Sequence, residues 1–333
     1  MSQHELVILI IAIALVFDYI NGFHDAANSI ATVVATRVLT PFQAVVWAAF
    51  FNFVAAFFFG TAVAQAVGRG FVNIDLVTPW VILAGLAGAI AWDLITWWLG
   101  LPTSSSHALI GGYAGAAVAH AGFRGLLIPG KWPLTVTFIF VAPMVGLISA
   151  YVLMVMVHWL FQRSSPSKMD KYFRRFQLFS AAAFSLSHGS NDAQKTAGLI
   201  TGLLYTSHRL SKFEVPAWVL MAAYSAIGLG TLSGGWRIVH TIGGRLTRLK
   251  PRSGFCAETG AAGAVLLATH LGLPVSTTHA IAGAIAGVGS IHRMKAVRWG
   301  IATNIVWAWV LTIPMAAIIA WISFRILHAI AGV

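Results

Sequence analysis

Two short stretches place polar and charged side chains inside otherwise apolar sequence: NGFHDAANSIA at 21–31 and HGSNDAQKTAG at 188–198. In register they set Gly22 against Gly189, Asp25 against Asp192 and Ala26 against Ala193. Asp25 and Asp192 stand beside the amides Asn21, Asn28 and Asn191. If the helices open at Gly22 and Gly189, freed backbone carbonyls join them, and the set suits a small hard cation or a proton. A second pair, LGLPTSSSHALIGGYAG (99–115) and LGLPVSTTHAIAGAIAG (271–287), aligns without a gap and matches Ser104 with Ser276, His107 with His279, Gly111 with Gly283 and Gly115 with Gly287. Proline holds the residue before it extended and opens helices well, and Ser or Thr directly afterwards caps them, so each copy reads as a break followed by a helix N-terminus. Such a terminus offers free N–H groups and a positive dipole end. The hydroxyls of Ser104, Ser105, Ser106, Ser276, Thr277 and Thr278 add neutral donors. One copy alone reads as a capped break; two in register read as a seat for a tetrahedral oxyanion.

The remaining ionisable groups are less determined. Lys195 faces Asn28 across the alignment. Its ammonium pairs with Asp192 or Asp25, takes the place of a second cation, or touches the anion; the sequence leaves all three open. His24 and His188, in the same two stretches, tune the local charge. Asp18, two helical turns before Asp25, is either part of a relay or a structural acid. Asp93, next to Trp92, reads as holding a partner in place, and Glu258 is a further acid in an apolar segment. A carboxylate at the centre of a bilayer costs about 2.5–3.5 kcal/mol on insertion scales, so each acid needs a compensating partner. Ser104, His107 and Asp25 could suggest a hydrolase triad, but no nucleophile elbow accompanies them, and an enzyme is not expected. His107 and His279 fit helix capping or a proton relay better than metal binding, which needs closer ligands. The chemistry calls for no cofactor.

Membrane spans must position these groups. Of 333 residues 58% are hydrophobic and only 9% charged, with mean hydropathy +0.82; a soluble domain carries about a quarter charged residues. Apolar runs approaching or exceeding the roughly 20 residues that cross a bilayer occur at 7–20, 42–67, 80–98, 136–161, 215–233 and 296–322. They are continuous, unlike the alternating segments of about ten residues in a barrel, so the chain reads as an all-α polytopic membrane protein. The N-terminal run lacks a basic flank and cleavage site and is expected to be kept as a span. Cys256 is the only cysteine and reads as a packed thiol. The net charge of +12 sits in short loops, which marks topology and not a nucleic-acid footprint. The basic loops at 162–175 and 235–253 and the cluster Arg293, Lys295 and Arg298 are placed in the cytoplasm, and the sparsely basic loops 67–79, 121–133 and 206–214 outside. The expectation is about ten transmembrane segments: five in 1–161, a basic cytoplasmic linker at 162–175, and five in 176–333, with both termini outside. An odd number per half inverts the second half, an inverted-topology repeat with broken or re-entrant helices at the midplane. Residues 237–252 read as an interfacial helix.

GFHDAANSIATVVATRVLTP and SHGSNDAQKTAGLI resemble the two duplicated G-x-N-D-x-x-N signatures of the PiT family of inorganic phosphate transporters. LGLPTSSSH and LGLPVSTTH resemble that family's second motif, and SGGWRIVHTIGGRLTRLKPRSGFCAE its linker into that motif. The resemblance covers nearly the whole chain. It implies cation-coupled phosphate uptake across the cytoplasmic (inner) membrane, with Asp25, Asn28, Asn191 and Asp192 lining the cation and phosphate site. Ser104 to Ser106 and Ser276 to Thr278 would contact phosphate, and Glu258 would matter for transport. Three departures stand out: His24 replaces an asparagine before Asp25, Lys195 stands where the symmetric signature has asparagine, and Asn52 lies about where animal members carry a second glutamate. Losing an acid and gaining an ammonium leave less room for sodium, so the expected coupling ion is H+, with Na+ as the alternative. The rival readings are a sulfate permease of the same family, carriage of a metal–phosphate complex, and a passive anion channel. Expected partners are phosphate, membrane lipid and a second copy in a homodimer, and no nucleic acid.

Overall fold

The computed structural model describes residues 2–291 and 296–331. The chain is built of α-helices: α1 (Gln3–Ala35), α2 (Pro41–Val54), α3 (Ala62–Gly70), α4 (Pro79–Leu99), α5 (Ser105–Ala121), α6 (Trp132–Leu160), α7 (Pro166–Thr206), α8 (Ala217–Ser233), α9 (Trp236–Val239), α10 (Pro251–His270), α11 (Thr277–Ser290) and α12 (Trp299–Ala331). Among the described residues the only pairing of β type is an isolated bridge between Val72 and Leu126. Local sequence explains where helices start and stop. Ser2 with Glu5 and Thr40 with Gln43 form capping boxes on α1 and α2, Pro79 opens α4 behind its Thr78 cap, and Gly100 ends α4 in the left-handed region at φ 66°.

Among the described residues four helices are each long and apolar enough to cross a membrane: α1, α4, α6 and α12. Two more candidate spans are bent pairs, α2 with α3 at 85° and α8 with the helical run Trp236–Arg245 at 64°. These six correspond to the six apolar runs of the sequence, with the run at 42–67 broken in the middle. α7 holds the HGSNDAQKTAG stretch, and α5 and α11 begin just after the two LGLP segments. α5 is buried along its length from Ser105 to Ala117 and α11 from Thr277 to Val288, so both are covered by neighbouring helices there.

Two expectations need correction. α1 and α7 do not open at Gly22 and Gly189; both helices run straight through these residues. A Cβ at Gly22 would lie 2.2 Å from the carbonyl oxygen of Ile227 in α8, and one at Gly189 2.5 Å from that of Asn52 in α2. The glycines therefore serve close helix approach, and their neighbours' carbonyls stay in the helical ladder. The interfacial helix expected at 237–252 is a short α turn followed by a π turn, His240–Arg245, and the helix after it starts at Pro251. Its Ile238, Ile242 and Leu246 are buried, and Gly243 packs on the carbonyl of Ala31 in α1. Within the basic linker 162–175, the residues from Pro166 onward form the first turns of α7, and this leaves the reading of it as a linker untouched. Arg293 and Lys295 lie outside the described residues.

Small residues set the packing. Cβ atoms added at Gly111 and Gly115 of α5 would strike the carbonyls of Ile313 and Ala317 in α12, and those at Gly283 and Gly287 of α11 the carbonyls of Pro143 and Leu147 in α6. Each short buried helix thus packs on the long, proline-containing helix at the end of the other half, around Pro143 in one case and Pro314 in the other. Because overpacking costs about 1–3 kcal/mol, Gly22→Ala should lower the thermal unfolding midpoint of the detergent-purified protein. Gly60→Ala, with nothing within 4 Å of its Cβ, should leave that midpoint unchanged.

Candidate functional site

The two LGLP segments produce the same local structure. Ser104 is the N-cap of α5 and accepts from the backbone N–H of His107 at 3.3 Å; Ser276 is the N-cap of α11 and accepts from that of His279 at 3.2 Å. Both caps are extended at the cap residue, as the preceding proline segments require. One turn in, the His107 and His279 rings meet edge to face with centroids 5.0 Å apart, so the two helix starts lie side by side. The histidines' backbone N–H groups are what the caps satisfy; their rings pack between α5 and α11.

Asp192 of α7 is the point on which both helix starts converge. Its Oδ1 accepts from Lys195 Nζ at 2.5 Å and from Ser106 Oγ at 3.4 Å, and its Oδ2 from Thr277 Oγ1 at 3.3 Å. Lys195 Nζ also donates to Ser106 Oγ and, at 2.9 Å, to the carbonyl of Val275 just before α11. All three ammonium donors are therefore used, one on each of α5, α7 and the approach to α11. Of the three roles left open for Lys195, the structure shows pairing with Asp192; Asp25 is not its partner. His188, one turn before Asp192, brings Nε2 to 3.1 Å from the second carboxylate oxygen. Its Nδ1 donates to Asn52 Oδ1 at 3.2 Å, and Asn52 Nδ2 donates to Thr231 at 2.9 Å. Asn52 thus orients a histidine toward the site.

The first half is arranged differently. His24 Nδ1 donates to Asp25 Oδ1 at 2.8 Å and leaves Nε2 facing the hydroxyls of Thr96 at 3.1 Å and Thr103 at 3.4 Å. Ser105 Oγ donates to Asp25 Oδ1 at 3.5 Å. Asn28 Nδ2 donates to Thr278 Oγ1 at 2.8 Å and Thr277 Oγ1 at 3.4 Å, so α1 touches the start of α11. Asp25, His188 and Asp192 each offer a ligand atom within 4.8 Å of the others, a seat that could hold a cation. Every side chain in this cluster is buried.

Some expected members lie at its edge. Asn191 does not face the centre: its amide donates to Thr269 at 2.9 Å and to the Leu273 carbonyl at 3.2 Å and accepts from the Val275 N–H, which fixes the segment before α11. Asn21 and Asp18 are buried one and two turns before Asp25 on α1, and among the described residues neither carboxylate oxygen of Asp18 has a hydrogen-bond partner. Glu258 forms its own cluster, accepting from Gln177 Nε2 at 2.9 Å and from Ser180 Oγ, with Thr36 donating to Gln177 at 2.9 Å. None of these bonds reaches Asp25, Asn28 or Asp192, so Glu258 stands apart from the coupling set into which the sequence reading placed it.

Sequence reasoning missed Gln194, Thr96, Thr103 and Gln177. Gln194 accepts from the N–H groups of Val63 and Ala64 at 3.1 and 3.3 Å and so ties the first turn of α3 to α7. Its place between Asp192 and Lys195 was the available signal; Gln177, far from any motif, carried none. Removing one partner of a buried ion pair leaves the other uncompensated, at about 3–5 kcal/mol. Asp192→Asn should therefore destabilise the purified protein strongly in thermal unfolding, and the double variant Asp192→Asn, Lys195→Met should recover most of the loss.

Comparison with known proteins adds the family. The profile described as "Phosphate transporter family" matches residues 21–320. A "Probable low-affinity inorganic phosphate transporter" of Rhizobium meliloti (strain 1021) is 53% identical over 320 residues, covering 96% of each chain. A protein of the same name from Bacillus subtilis (strain 168) is 44% identical over 333 residues, covering 98% of each. A solved structure described as "The sodium-dependent phosphate transporter" superposes with a TM-score of 0.89 at 25% identity, covering 98% of this chain and 100% of the other. These names lend no support to a sulfate permease. The chain is a multi-pass helical membrane protein that belongs to the phosphate transporter family, and it is not an enzyme.

Proposed function

We propose that this chain imports inorganic phosphate by cation symport, with the proton as coupling ion, and that phosphate sits between the starts of α5 and α11. The observation that carries the reading is the convergence of Ser106, Thr277 and Lys195 on Asp192. Two capped N-termini supply inward-facing N–H groups and positive dipole ends, and Ser105, Ser106, Thr277 and Thr278 supply hydroxyl donors. Such donors suit any tetrahedral oxyanion. The carboxylates of Asp25 and Asp192 add selection, because hydrogen phosphate has a proton to donate to an acceptor while sulfate at neutral pH has none and is repelled.

The coupling ion follows from Lys195. Its ammonium occupies a carboxylate oxygen, a hydroxyl and a backbone carbonyl, the oxygen types a sodium ion would take. A fixed positive charge there substitutes for a bound cation and leaves the proton to couple transport. Sodium is the second reading, favoured by the name of the solved structural neighbour. A metal–phosphate complex is favoured to a lesser degree by the cluster Asp25, His188 and Asp192.

The architecture we assign is ten membrane segments in two inverted halves, basic loops in the cytoplasm and both termini outside. Identical caps on α5 and α11, and the reciprocal packing of α5 on α12 and α11 on α6, support that symmetry. Rocking of one half against the other would then expose a fixed site to either side.

Labelled phosphate uptake into proteoliposomes, with proton or sodium gradients imposed separately and excess unlabelled sulfate present, tests the reading. Accumulation is expected with the proton gradient and not with sulfate as an effective competitor. Strict sodium dependence of the native protein would overturn proton coupling, and equilibration without accumulation would mean a channel. Lys195→Asn should shift the protein toward sodium-dependent uptake.

A further inference from the structure

Away from the transport site, a cavity of about 440 Å³ is lined by Arg245, Arg248, Lys250, Arg252 and Arg298 and by no acidic residue. Among the described residues none of these five side chains makes an ion pair. Arg252 is the most telling: its Nε is buried without a hydrogen-bond partner, and its Nη1 reaches only the sulfur of Met169 at 3.9 Å. Five cations gathered in one concavity, one of them with a buried unused donor, call for an anion.

A second cavity shares no lining residue with the first but is lined in part by residues next to them in the chain. It measures about 240 Å³ and is almost wholly apolar, running between α6, α11 and α12. Neighbouring residues line the two in turn: Leu246 the apolar groove and Arg245 the basic cavity, Ala286 the groove and Val288 the cavity, Trp299 the groove and Arg298 the cavity. Phe140, Met144 and Val306 on the rim of the groove are exposed, on the long apolar helices α6 and α12, the side suited to hydrocarbon.

We infer that the two cavities form one binding site for an anionic phospholipid, with the headgroup phosphate among the arginines and an acyl chain in the groove. A soluble phosphate anion would fill the basic part only, and a neutral lipid the apolar part only. A basic pocket beside an apolar groove between spans matches both ends of an anionic lipid. The inner end of the groove is Trp309. Its ring stacks on His279 with centroids 4.0 Å apart, and its Nε1 donates at 3.0 Å to the carbonyl of Pro102, two residues before the Ser104 cap. An acyl chain against Trp309 therefore bears on the flanks of both α5 and α11. This link to transport rests on the proposed function, whereas the binding site itself does not.

The test uses delipidated, detergent-purified protein, with bound lipid read by native mass spectrometry and stability by thermal unfolding. Phosphatidylglycerol should be retained and raise the unfolding midpoint; phosphatidylcholine and soluble glycerol phosphate should do neither. The triple variant Arg245→Gln, Arg248→Gln, Lys250→Gln should weaken retention by roughly a hundredfold, at the usual worth of basic residues beside an anionic headgroup. Ala302→Trp, which fills the groove and leaves all five cations in place, should also lose the lipid. Equal retention of phosphatidylcholine would overturn the proposal. So would protection by glycerol phosphate that Ala302→Trp leaves intact, which would mark a soluble-anion site. Should the triple variant not fold, the native protein still decides: retention through a headgroup falls steeply with salt, and retention through the chain alone does not.

Discussion

The buried contact between Asp192 and Lys195 is the constraint on which the rest of the site depends. An ammonium and a carboxylate taken out of water must find each other and then satisfy their remaining donors and lone pairs. Asp192 does so with hydroxyls from Ser106 and Thr277, Lys195 with the Ser106 hydroxyl and the Val275 carbonyl. These partners belong to α5 and to the start of α11, so the electrostatic requirement of α7 holds the starts of two other helices against it. The buried charge thus assembles the polar site in which it sits.

Close packing makes that assembly reachable. In a membrane no hydrophobic force draws one helix to another, and small residues provide contact by letting backbones approach. Gly22 and Gly189, which flank the two acids, bring α1 onto α8 and α7 onto α2, while the four glycines of α5 and α11 seat those helices on α12 and α6. α5 rests on α12 and α11 on α6, so helices distant in the sequence hold both helix starts.

Approximate symmetry also shows where the chain has become specialised. Asn21 and Asn28 of the first stretch align with His188 and Lys195 of the second. The second half therefore gains a fixed positive charge and a histidine aimed at Asp192, while the first keeps an amide, Asn28, reaching across to Thr277 and Thr278. Asn52 belongs to the same change, since an amide there can accept from His188 and donate to Thr231 at once. A carboxylate could not donate.

The sequence by itself determined the membrane class, six of the apolar runs, the two helix starts after the LGLP segments and the identity of the polar residues around them. Each of these is a local property: hydropathy over a span length, or a proline followed by a hydroxyl cap. Which polar groups actually meet was decided by tertiary structure. Nothing near Glu258 announces Gln177 and Ser180 as its partners, and nothing near Asn191 shows that it braces the chain before α11 instead of facing the centre. Gly22 and Gly189 carried the most misleading local signal. A glycine beside a buried acid can serve an opened helix or a close crossing, and only the neighbouring backbone, absent from the local sequence, selects between them.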